Sequence, residues 1–366
     1  MRLTPVRTRR DLADFLAFPD RLHGHDPRYI PTMHQQIRGW HGGEVPGVRL
    51  HLLRDAAGEV VARTTLHTDP DFDRKLGRPV QLFGLTEFVD DDTVTKTLFE
   101  EICMAGLQAG RASVFGPVSL LPNQSGGVIT SGFDQRGFVD SGWNPAYYPD
   151  AYASNGFKAR FPSETWICDH LQDDPRSVHE VFPFEGDLFG DLELHRGSRR
   201  HLAEQLPILR GMLNASFAQL GYYTEISAEQ LARQTDGLAY LIDESLLLYL
   251  TKAGRPAAFV LCIPDISDFV RKTSGNLNAV NQLRLLVSRS RYRREAILVI
   301  KGTVPGEQGH GYQRLLSREL LKNLRAGGYD TLRSTYVERT NPASAAQYRA
   351  MGGRPLHGYA FYEKEI

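Results

Sequence analysis

The alternation of hydrophobic and polar residues predicts the same run of elements in both halves of the chain: three strands, a helix and a fourth strand. Strands are indicated by apolar residues at every second position, and helices by apolar residues recurring every three or four positions. In the first half these elements are predicted at residues 48–53, 60–66, 80–88, 93–110 and 113–118. In the second half they are predicted at residues 246–251, 257–263, 296–304, 312–326 and 331–337. The pattern therefore predicts a duplicated fold of the α/β (α+β) class.

Short sequence matches at corresponding positions also indicate a duplication. Arg9-Arg10-Asp11-Leu12 matches Arg199-Arg200-His201-Leu202, and Asn144-Pro-Ala146 matches Asn341-Pro-Ala343. Proline, glycine and acidic residues cluster without periodicity at 173–190, which is typical of a boundary between domains. We therefore predict an N-terminal domain at 1–175 and a C-terminal domain at 190–366.

Composition limits the kinds of partner. The 366 residues include 43 Lys and Arg and 43 Asp and Glu, so the net charge is zero and no global field attracts nucleic acid or an anionic membrane. The cysteines at 103, 168 and 262 lie too far apart in sequence to indicate a disulfide framework or a structural zinc site. The longest apolar runs have only the length of strands. We expect a cytoplasmic protein with no nucleic-acid, membrane or metal partner.

Residues with candidate chemistry are concentrated in the last quarter of the chain. After the predicted strand at 296–304 comes Gly306-Glu-Gln-Gly309-His-Gly311, directly before a predicted helix. Glycines at the start of a helix leave backbone N–H groups uncovered, and together with the helix dipole these groups bind phosphate. A second helix, which begins at Asn341, carries Tyr348. A phosphate-binding loop and a phenol together indicate a phosphopantetheine thioester held beside a proton donor, which is the chemistry of acyl transfer.

Both motifs resemble those of the GNAT acyltransferase superfamily. The glycine loop at 306–311 is similar to the family pattern Gln/Arg-x-x-Gly-x-Gly/Ala, which cradles the cofactor pyrophosphate. Asn341, Ser344, Tyr348 and Gly352 match the family helix Asn-x-x-Ala-x-x-x-Tyr-x-x-x-Gly-Phe, with Gly353 in place of Phe. The resemblance implies two tandem GNAT-like domains, each a mixed, mostly antiparallel twisted sheet flanked by helices.

The same resemblance implies roles for individual residues. The donor substrate would be acyl-CoA or acyl-phosphopantetheine, and no cofactor would be bound permanently. Backbone N–H groups near residues 302–304 would polarise the thioester carbonyl, and Tyr348 would protonate the departing thiolate. The residues implied in donor binding are Val304, Gln308, Gly309, His310, Gly311, Tyr312 and Asn341.

The first half resembles the GNAT fold without its donor loop. After the strand at 80–88 it carries Asp90-Asp91-Asp92-Thr93. This sequence supplies a helix N-cap but no glycine turn, and three carboxylates repel a phosphate. We therefore expect donor binding and catalysis in the second half only.

The general base is harder to assign from the sequence. Glu338 ends the strand before Asn341, and Asp265 follows the strand at 257–263. Both are candidates for the base or for binding the acceptor, although an aspartate placed like Asp265 more commonly caps the turn that follows it.

Five arginines form a local basic segment in this neutral chain. They all lie within residues 276–294: Arg284, Arg289, Arg291, Arg293 and Arg294. The segment is either a solvated surface helix or a docking patch for an acidic acyl carrier protein. Arginines also suit the 3′-phosphate of coenzyme A. Gly306 stands where the family has Gln or Arg, so one contact to the pyrophosphate is missing, and this favours the carrier-bound donor.

The sequence thus predicts an acyltransferase that moves an acyl group from a phosphopantetheine thioester, on a carrier protein or on coenzyme A, to a small-molecule amine. Two alternatives remain: a GNAT-like binding protein without catalysis, and a thioester hydrolase or decarboxylase on the same fold. The products separate these three, because only transfer to an amine gives an amide.

Overall fold

The computed structural model describes residues 1–139, 141–184, 190–235 and 242–366. Its helices are α1 (Arg9–His23), α2 (His34–His41), α3 (Pro70–Leu76), α4 (Asp92–Gln108), α5 (Tyr148–Ser154), α6 (Val178–Val181), α7 (Leu202–Phe217), α8 (Ala228–Thr235), α9 (Ser267–Lys272), α10 (Ala279–Ser288), α11 (Tyr312–Ala326) and α12 (Pro342–Ala350). Its strands are β1 (Leu3–Pro5), β2 (Arg49–Arg54), β3 (Val60–His67), β4 (Val80–Phe88), β5 (Ser113–Gly116), β6 (Val118–Ser119), β7 (Leu121–Gly126), β8 (Val128–Ser131), β9 (Lys158–Cys168), β10 (Leu192–Arg196), β11 (Leu247–Lys252), β12 (Arg255–Pro264), β13 (Glu295–Thr303), β14 (Thr331–Ser334), β15 (Val337–Glu338) and β16 (Arg354–Glu365).

The chain folds into two compact units, and neither is a single continuous segment. Unit 1 comprises Met1–Ser163, Ser267–Gln282 and His357–Ile366, and unit 2 comprises Glu164–Ile266 and Leu283–Leu356. The predicted domains at 1–175 and 190–366 were continuous ranges, and they stay a prediction. Part of their predicted boundary, residues 185–189, lies outside the described residues.

The two units have the same strand order and the same pairing directions. In unit 1, β1, β2, β3 and β4 pair antiparallel in succession, and β4 pairs in parallel with β5. In unit 2, β10, β11, β12 and β13 pair antiparallel in succession, and β13 pairs in parallel with β14. The helix between the parallel strands is α4 in unit 1 and α11 in unit 2. Each unit is thus a mixed, mostly antiparallel sheet with flanking helices, which confirms the predicted fold class.

The next strand of each sheet comes from the other half of the sequence. In unit 1, β16 pairs antiparallel with β5, with Tyr362 opposite Gly116. In unit 2, β9 pairs antiparallel with β14, with Cys168 opposite Leu332. This exchange of strands is why residues 357–366, which the sequence analysis placed in the C-terminal domain, are counted with unit 1.

Helix α11 buries a face of leucines in the core of unit 2. The buried leucines are Leu315, Leu316, Leu320, Leu321 and Leu324. They share one hydrophobic core with residues of β11 and β12. Burial of a leucine stabilises a fold by about 1.5–3 kcal/mol, so this packing fixes the helix and, with it, the position of its first residue, Tyr312.

Most predicted elements are observed, and two predicted strands are divided. The predicted strand at 80–88 and the predicted helix at 312–326 have the observed bounds of β4 and α11. The predicted strand at 113–118 is interrupted at Pro117, because proline lacks the N–H that a ladder requires. The predicted strand at 331–337 is interrupted after Ser334. Within the described residues, no helix is both long enough and apolar enough to cross a bilayer.

Candidate functional site

Strand β13 continues beyond the end of its parallel partner. The pairing of β13 with β14 ends where Leu298 lies opposite Ser334. The backbone N–H of Thr335 still donates to Leu298 O at 3.1 Å, and Thr335 Oγ1 donates to Val299 O at 2.6 Å. Because β13 extends to Thr303, its residues 300–303 have an edge that β14 does not cover. We call this segment the β13 edge.

A β-bulge determines which backbone groups face outward along the β13 edge. The register between β12 and β13 shifts next to Val299, since Cys262 lies opposite Leu298 and Leu261 lies opposite Ile300. Beyond the bulge, the backbone N–H of Val304 donates to Ala257 O at 2.9 Å. Antiparallel pairs alternate between bonded and non-bonded, so the N–H groups of Lys301 and Thr303 point away from β12.

The predicted donor loop directly follows this edge. Residues 308–311 are exposed, and Gly309 and Gly311 have positive φ of 83° and 78°. Gly311 is the N-cap residue of α11, and its carbonyl oxygen accepts from the N–H groups of Arg314 and Leu315. Among acceptors in the described part of the chain, none takes the N–H of Gly309, Gly311 or Tyr312. The loop therefore presents uncovered N–H groups at the positive end of a helix dipole.

Neighbouring side chains hold this loop in place. The ring of Tyr312 is buried and lies 5.5 Å from the His310 ring. The pKa of Lys252 is raised, mainly by a hydrogen bond to Tyr312. The carboxylate of Glu307, whose Oε2 lies 3.6 Å from Lys252 Nζ, raises it further. Gln313 Nε2 donates to two strand carbonyls, Phe259 O and Gly302 O. The start of α11 is thereby tied to the end of β13.

Six of the seven residues implied in donor binding lie in one continuous segment, Val304, Gln308, Gly309, His310, Gly311 and Tyr312. The seventh, Asn341, is the N-cap of α12, where its side chain accepts from the N–H of Ser344 at 3.1 Å. Its observed contact is therefore a helix cap. The donor-binding roles of all seven stay predictions.

Tyr348, the predicted proton donor, is 1% exposed. Its ring stacks on Trp166 with centroids 6.0 Å apart, and its hydroxyl makes a hydrogen bond with Ser334. Burial raises the pKa of the Tyr348 phenol well above its ordinary value near 10. The phenol is covered in this arrangement, and its role as proton donor stays a prediction.

Lys301, which the sequence analysis missed, projects from the β13 edge towards Tyr348. Its Nζ atom lies 4.2 Å from the centre of the Tyr348 ring and donates to Gln347 Oε1 at 2.6 Å. Ser317 Oγ donates to the same oxygen at 3.1 Å. Burial lowers the pKa of the Lys301 ammonium from 10.5 to about 7. A lysine inside an apolar strand was the signal that could have identified it.

Glu338 is half-buried and close to Tyr222. The Glu338 carboxylate makes a hydrogen bond with Tyr222. The pKa of the Tyr222 phenol is raised, mainly by burial and next by the negative charge of Glu338, with a further contribution from Tyr336. Thr340 Oγ1 donates to Glu338 Oε2 at 3.3 Å. Tyr336 directly follows Thr335, the residue bonded to Val299, so Glu338 belongs to the segment that follows the end of β14.

The contacts of Asp265 argue against its predicted role as a base. Its buried carboxylate lies 3.1 Å from Arg333 Nη1, which also bonds Glu295 at 2.6 Å. The N–H of Asp265 donates to Glu295 O, at the first residue of β13. A strand of this length separates its ends by about 26 Å, so Asp265 and the donor loop lie at opposite ends of β13. The carboxylate is occupied by a buried ion pair instead.

The five arginines predicted to dock a partner are all exposed. Arg284 lies on α10, and Arg289 and Arg291 lie on the single turn of 3₁₀ helix that follows. Arg293 Nε is 3.9 Å from Asp243 Oδ2. Their role in docking stays a prediction.

Unit 1 lacks the corresponding features among its described residues. Asp91 caps α4 by accepting the N–H groups of Thr93 and Val94, as the sequence predicted. A Cβ atom on Gly84 would lie 1.7 Å from Val118 O. The strand β4 is therefore in close contact with β6 where the equivalent part of β13 is open.

Comparisons with known proteins found relatives that match nearly the whole chain. No protein-family model matches the sequence. Protein YghO of Escherichia coli (strain K12) is 24% identical over 99% of this chain and 95% of its own length. The bacterial ceramide synthase of Caulobacter vibrioides is 23% identical over 99% of this chain and 97% of its own length.

Solved structures share the fold over the same extent. A tandem GNAT protein from the clavulanic acid biosynthesis pathway matches 99% of this chain and 98% of its own, with a TM-score of 0.57 and 13% identity. The chain also matches 38% of a fungal multi-domain GH3 β-N-acetylglucosaminidase with a GCN5-related glucosamine N-acetyltransferase region, with a TM-score of 0.61 and 14% identity over 99% of this chain. The chain therefore carries two GNAT folds in tandem.

Proposed function

We propose that unit 2 transfers an acyl group from a pantetheine thioester to an amine and forms an amide. The observation that carries this proposal is the adjacency of the β13 edge and the exposed loop at 308–311. Phosphate groups of the donor bind the uncovered N–H groups of Gly309, Gly311 and Tyr312. The extended pantetheine arm then pairs with the outward N–H groups of Lys301 and Thr303, as a peptide pairs with a sheet edge.

The proposed reaction needs a polarised carbonyl and a proton for the leaving thiolate. Attack by the amine forms the C–N bond and breaks the C–S bond; the amine loses one proton and the thiolate gains one. We assign the proton transfer to Lys301, because it lies on the β13 edge next to the proposed position of the pantetheine arm, whereas Tyr348 is 1% exposed. A pKa of about 7 allows Lys301 both to give and to take a proton near neutral pH.

We further propose that the acceptor is the amine of a long-chain amino lipid. This step rests on similarity along the whole chain to a bacterial ceramide synthase, because a ceramide is an amide of a long-chain amino alcohol. Glu338 and Tyr222 are the polar groups proposed to bind that amine. The donor thioester is carried by coenzyme A or by an acyl carrier protein, since both present the same phosphopantetheine arm.

Mass spectrometry of reaction products tests the activity. The protein is incubated with one fatty acyl group, supplied either on coenzyme A or on a carrier protein, and with a long-chain amino alcohol. We expect the fatty amide to form. Free fatty acid or a decarboxylated thioester, with no amide, would identify a hydrolase or a decarboxylase. Recovery of both intact substrates would indicate a binding protein.

A pair of glycine variants tests the donor loop. Gly309 and Gly328 both have positive φ, 83° and 77°, and no atom lies within 4 Å of a Cβ added at either. Alanine at either position costs about 1–2 kcal/mol of backbone strain. We expect Gly309→Ala also to raise the KM for the donor by about tenfold or more, because a hydrogen bond to a charged phosphate is weakened. An equal KM in Gly309→Ala and the control Gly328→Ala contradicts the proposed loop.

A further inference from the structure

Helix α10 exposes a stripe of aliphatic side chains. Val280, Leu283 and Val287 are 66%, 62% and 80% exposed. Their spacing of three and four residues places them on one face of the helix. Leu285 faces the opposite way and is fully buried, so it anchors the helix. We call the three exposed residues the α10 stripe.

The α10 stripe is accompanied by a concentrated positive charge. Residues 276–294 contain five arginines and no aspartate or glutamate, in a chain whose formal net charge is zero. Arg284 follows Leu283 directly, and Arg289 and Arg291 continue the basic run one turn beyond Val287. All five arginines are exposed. The surface therefore combines aliphatic groups that avoid water with guanidinium groups that bind phosphate.

We propose that the α10 stripe and its arginines dock the protein on an anionic lipid surface. A short amphipathic helix lies in the plane of a membrane with its apolar side chains among the acyl chains and its basic side chains at the lipid phosphates. With ten residues, α10 is about 15 Å long, which suits a helix lying in that plane and cannot span a bilayer.

A lipid surface accounts for more of this surface than other partners do. An acidic carrier protein matches the arginines but leaves three exposed aliphatic side chains without an apolar partner. A second copy of the chain covers the stripe but brings the basic run close to its own copy, where like charges repel. The expectation of no membrane partner rested on the net charge of the whole chain, and that quantity hides a local cluster.

This inference goes beyond the proposed acyl transfer and does not rest on it. Docking requires neither a donor nor an acceptor, so the two proposals fail separately. If both hold, the lipid surface is also the place where a long-chain amino lipid is found.

Vesicle co-flotation of the full-length protein tests the docking surface. One set of vesicles is phosphatidylcholine alone, and the other includes phosphatidylglycerol as the anionic lipid. We expect binding to the anionic vesicles and weaker binding at high salt, because salt screens the arginines. Two double variants address the two components: Leu283→Gln with Val287→Gln, and Arg289→Glu with Arg291→Glu.

Matched controls alter exposed residues elsewhere. Met104 and Leu107 on α4 are 50% and 49% exposed, so Met104→Gln with Leu107→Gln removes similar apolar area. Arg9→Glu with Arg10→Glu removes the same charge at an exposed part of α1. We expect partition to fall roughly fivefold for each arginine lost and about tenfold or more for the stripe variant. Both controls should bind as the native protein does.

The outcomes that overturn the docking proposal are distinct. The first is that the protein does not bind to anionic vesicles. The second is that the control variants weaken binding to these vesicles as much as the α10 variants do. Two further results also overturn it: a carrier protein that binds α10 while vesicles do not, and a dimer that the stripe variant dissociates. Circular dichroism of each variant establishes that it is folded.

Discussion

Lys301 is subject to opposing influences at one atom. Its Nζ donates to Gln347 and lies over the Tyr348 ring, and both contacts favour the charged ammonium. Burial favours the neutral amine more strongly and lowers the pKa to about 7. A lysine of this kind exists in both protonation states near neutral pH, and this property underlies the proton transfer proposed for it.

Replacing Lys301 with methionine tests that environment through the pH dependence of stability. In the folded protein the proton leaves near pH 7, whereas in the unfolded chain it leaves near pH 10.5. Between these values the unfolded state binds more protons, so the contribution of Lys301 to the free energy of unfolding rises with pH, by up to about 1.4 kcal/mol per unit. Urea unfolding from pH 7 to 10 should show that Lys301→Met has lost this rise.

An exposed lysine provides the control for that measurement. Lys252 is 40% exposed and pairs with Glu307. Lys252→Met should therefore keep the rise of unfolding free energy seen in the native protein. If Lys301→Met and the native protein have the same pH slope, Lys301 is not a buried lysine.

Asp265→Asn separates a structural role from a catalytic one. The carboxylate of Asp265 shares Arg333 with Glu295 in a buried cluster. Neutralising it leaves Arg333 with one partner, and we expect the free energy of unfolding to fall by about 1–3 kcal/mol. Because Asp265 lies far along β13 from the donor loop, kcat for amide formation should stay unchanged. A fall in kcat of about a hundredfold without loss of stability would restore Asp265 as the base.

Residue identity alone predicted the loop but not the neighbourhood of its side chains. The glycines at 309 and 311 were recognisable because only their backbone matters to the motif. The burial of Tyr348 and the ion pair of Asp265 depend on Trp166 and Arg333, which come from distant parts of the sequence. The side of β13 on which Lys301 lies depends on the bulge at Val299, and no local signal indicates a bulge there.

At the scale of elements, α12 depends on its N-cap. Asn341 accepts the N–H of Ser344 through its side chain, in the usual manner of a capping residue. We expect Asn341→Ala to lower the free energy of unfolding by about 0.5–2 kcal/mol and to leave the KM for the donor unchanged. Thermal unfolding and donor titration measure the two effects.

The conservative variant Asn341→Asp keeps an oxygen that can cap α12. It should retain the stability of the native protein, because aspartate is among the preferred N-cap residues. If both Asn341→Ala and Asn341→Asp raise the donor KM while stability is unaffected, Asn341 contacts the donor as the resemblance to the GNAT family implied.

The boundaries of an element were predictable where glycine residues flank it at both ends. The helix α11 begins after Gly311 in the left-handed region and ends before Gly327, and its bounds were predicted correctly. The β13 edge could be predicted only from the resemblance to a known family. It is uncovered because β14 ends before β13 does. That end depends on Thr335, whose hydroxyl bonds to the backbone of Val299 instead of continuing the ladder.

At the scale of the whole molecule, the duplication was predictable and the exchange of strands was not. The hydrophobic pattern of each half predicts the repeated order of elements. The partner of β9 or of β16 is not, because neither strand carries a local sequence signal for the strand beside it. Pairing across 160 or more residues, such as Cys168 with Leu332, leaves no local signal.

Three histidines of unit 1 with lowered pKa values predict how the molecule responds to acid. Burial lowers the pKa values of His23, His51 and His67 from 6.5 to about 4. Between pH 6.5 and 4 the unfolded chain therefore binds more protons at these sites than the folded chain. Their contribution to the free energy of unfolding should fall as the pH drops through this range, by up to about 1.4 kcal/mol per unit for each histidine.

His67→Gln isolates one of these contributions. His67 Nε2 lies 2.6 Å from Leu120 O, and a glutamine amide can donate to the same oxygen without titrating. We expect urea unfolding between pH 6.5 and 4 to show a shallower loss of stability for His67→Gln. His201→Gln, at a histidine whose side chain is 62% exposed, is the control and should match the native slope. Subtracting the stability curve of the native protein from that of the variant removes the contributions of other titrating groups. One of these is Glu87, whose pKa is raised by burial. Parallel curves for His67→Gln and the native protein would mean that His67 accepts a proton in the folded state. That result would contradict the prediction that the folded protein holds His67 in its neutral form.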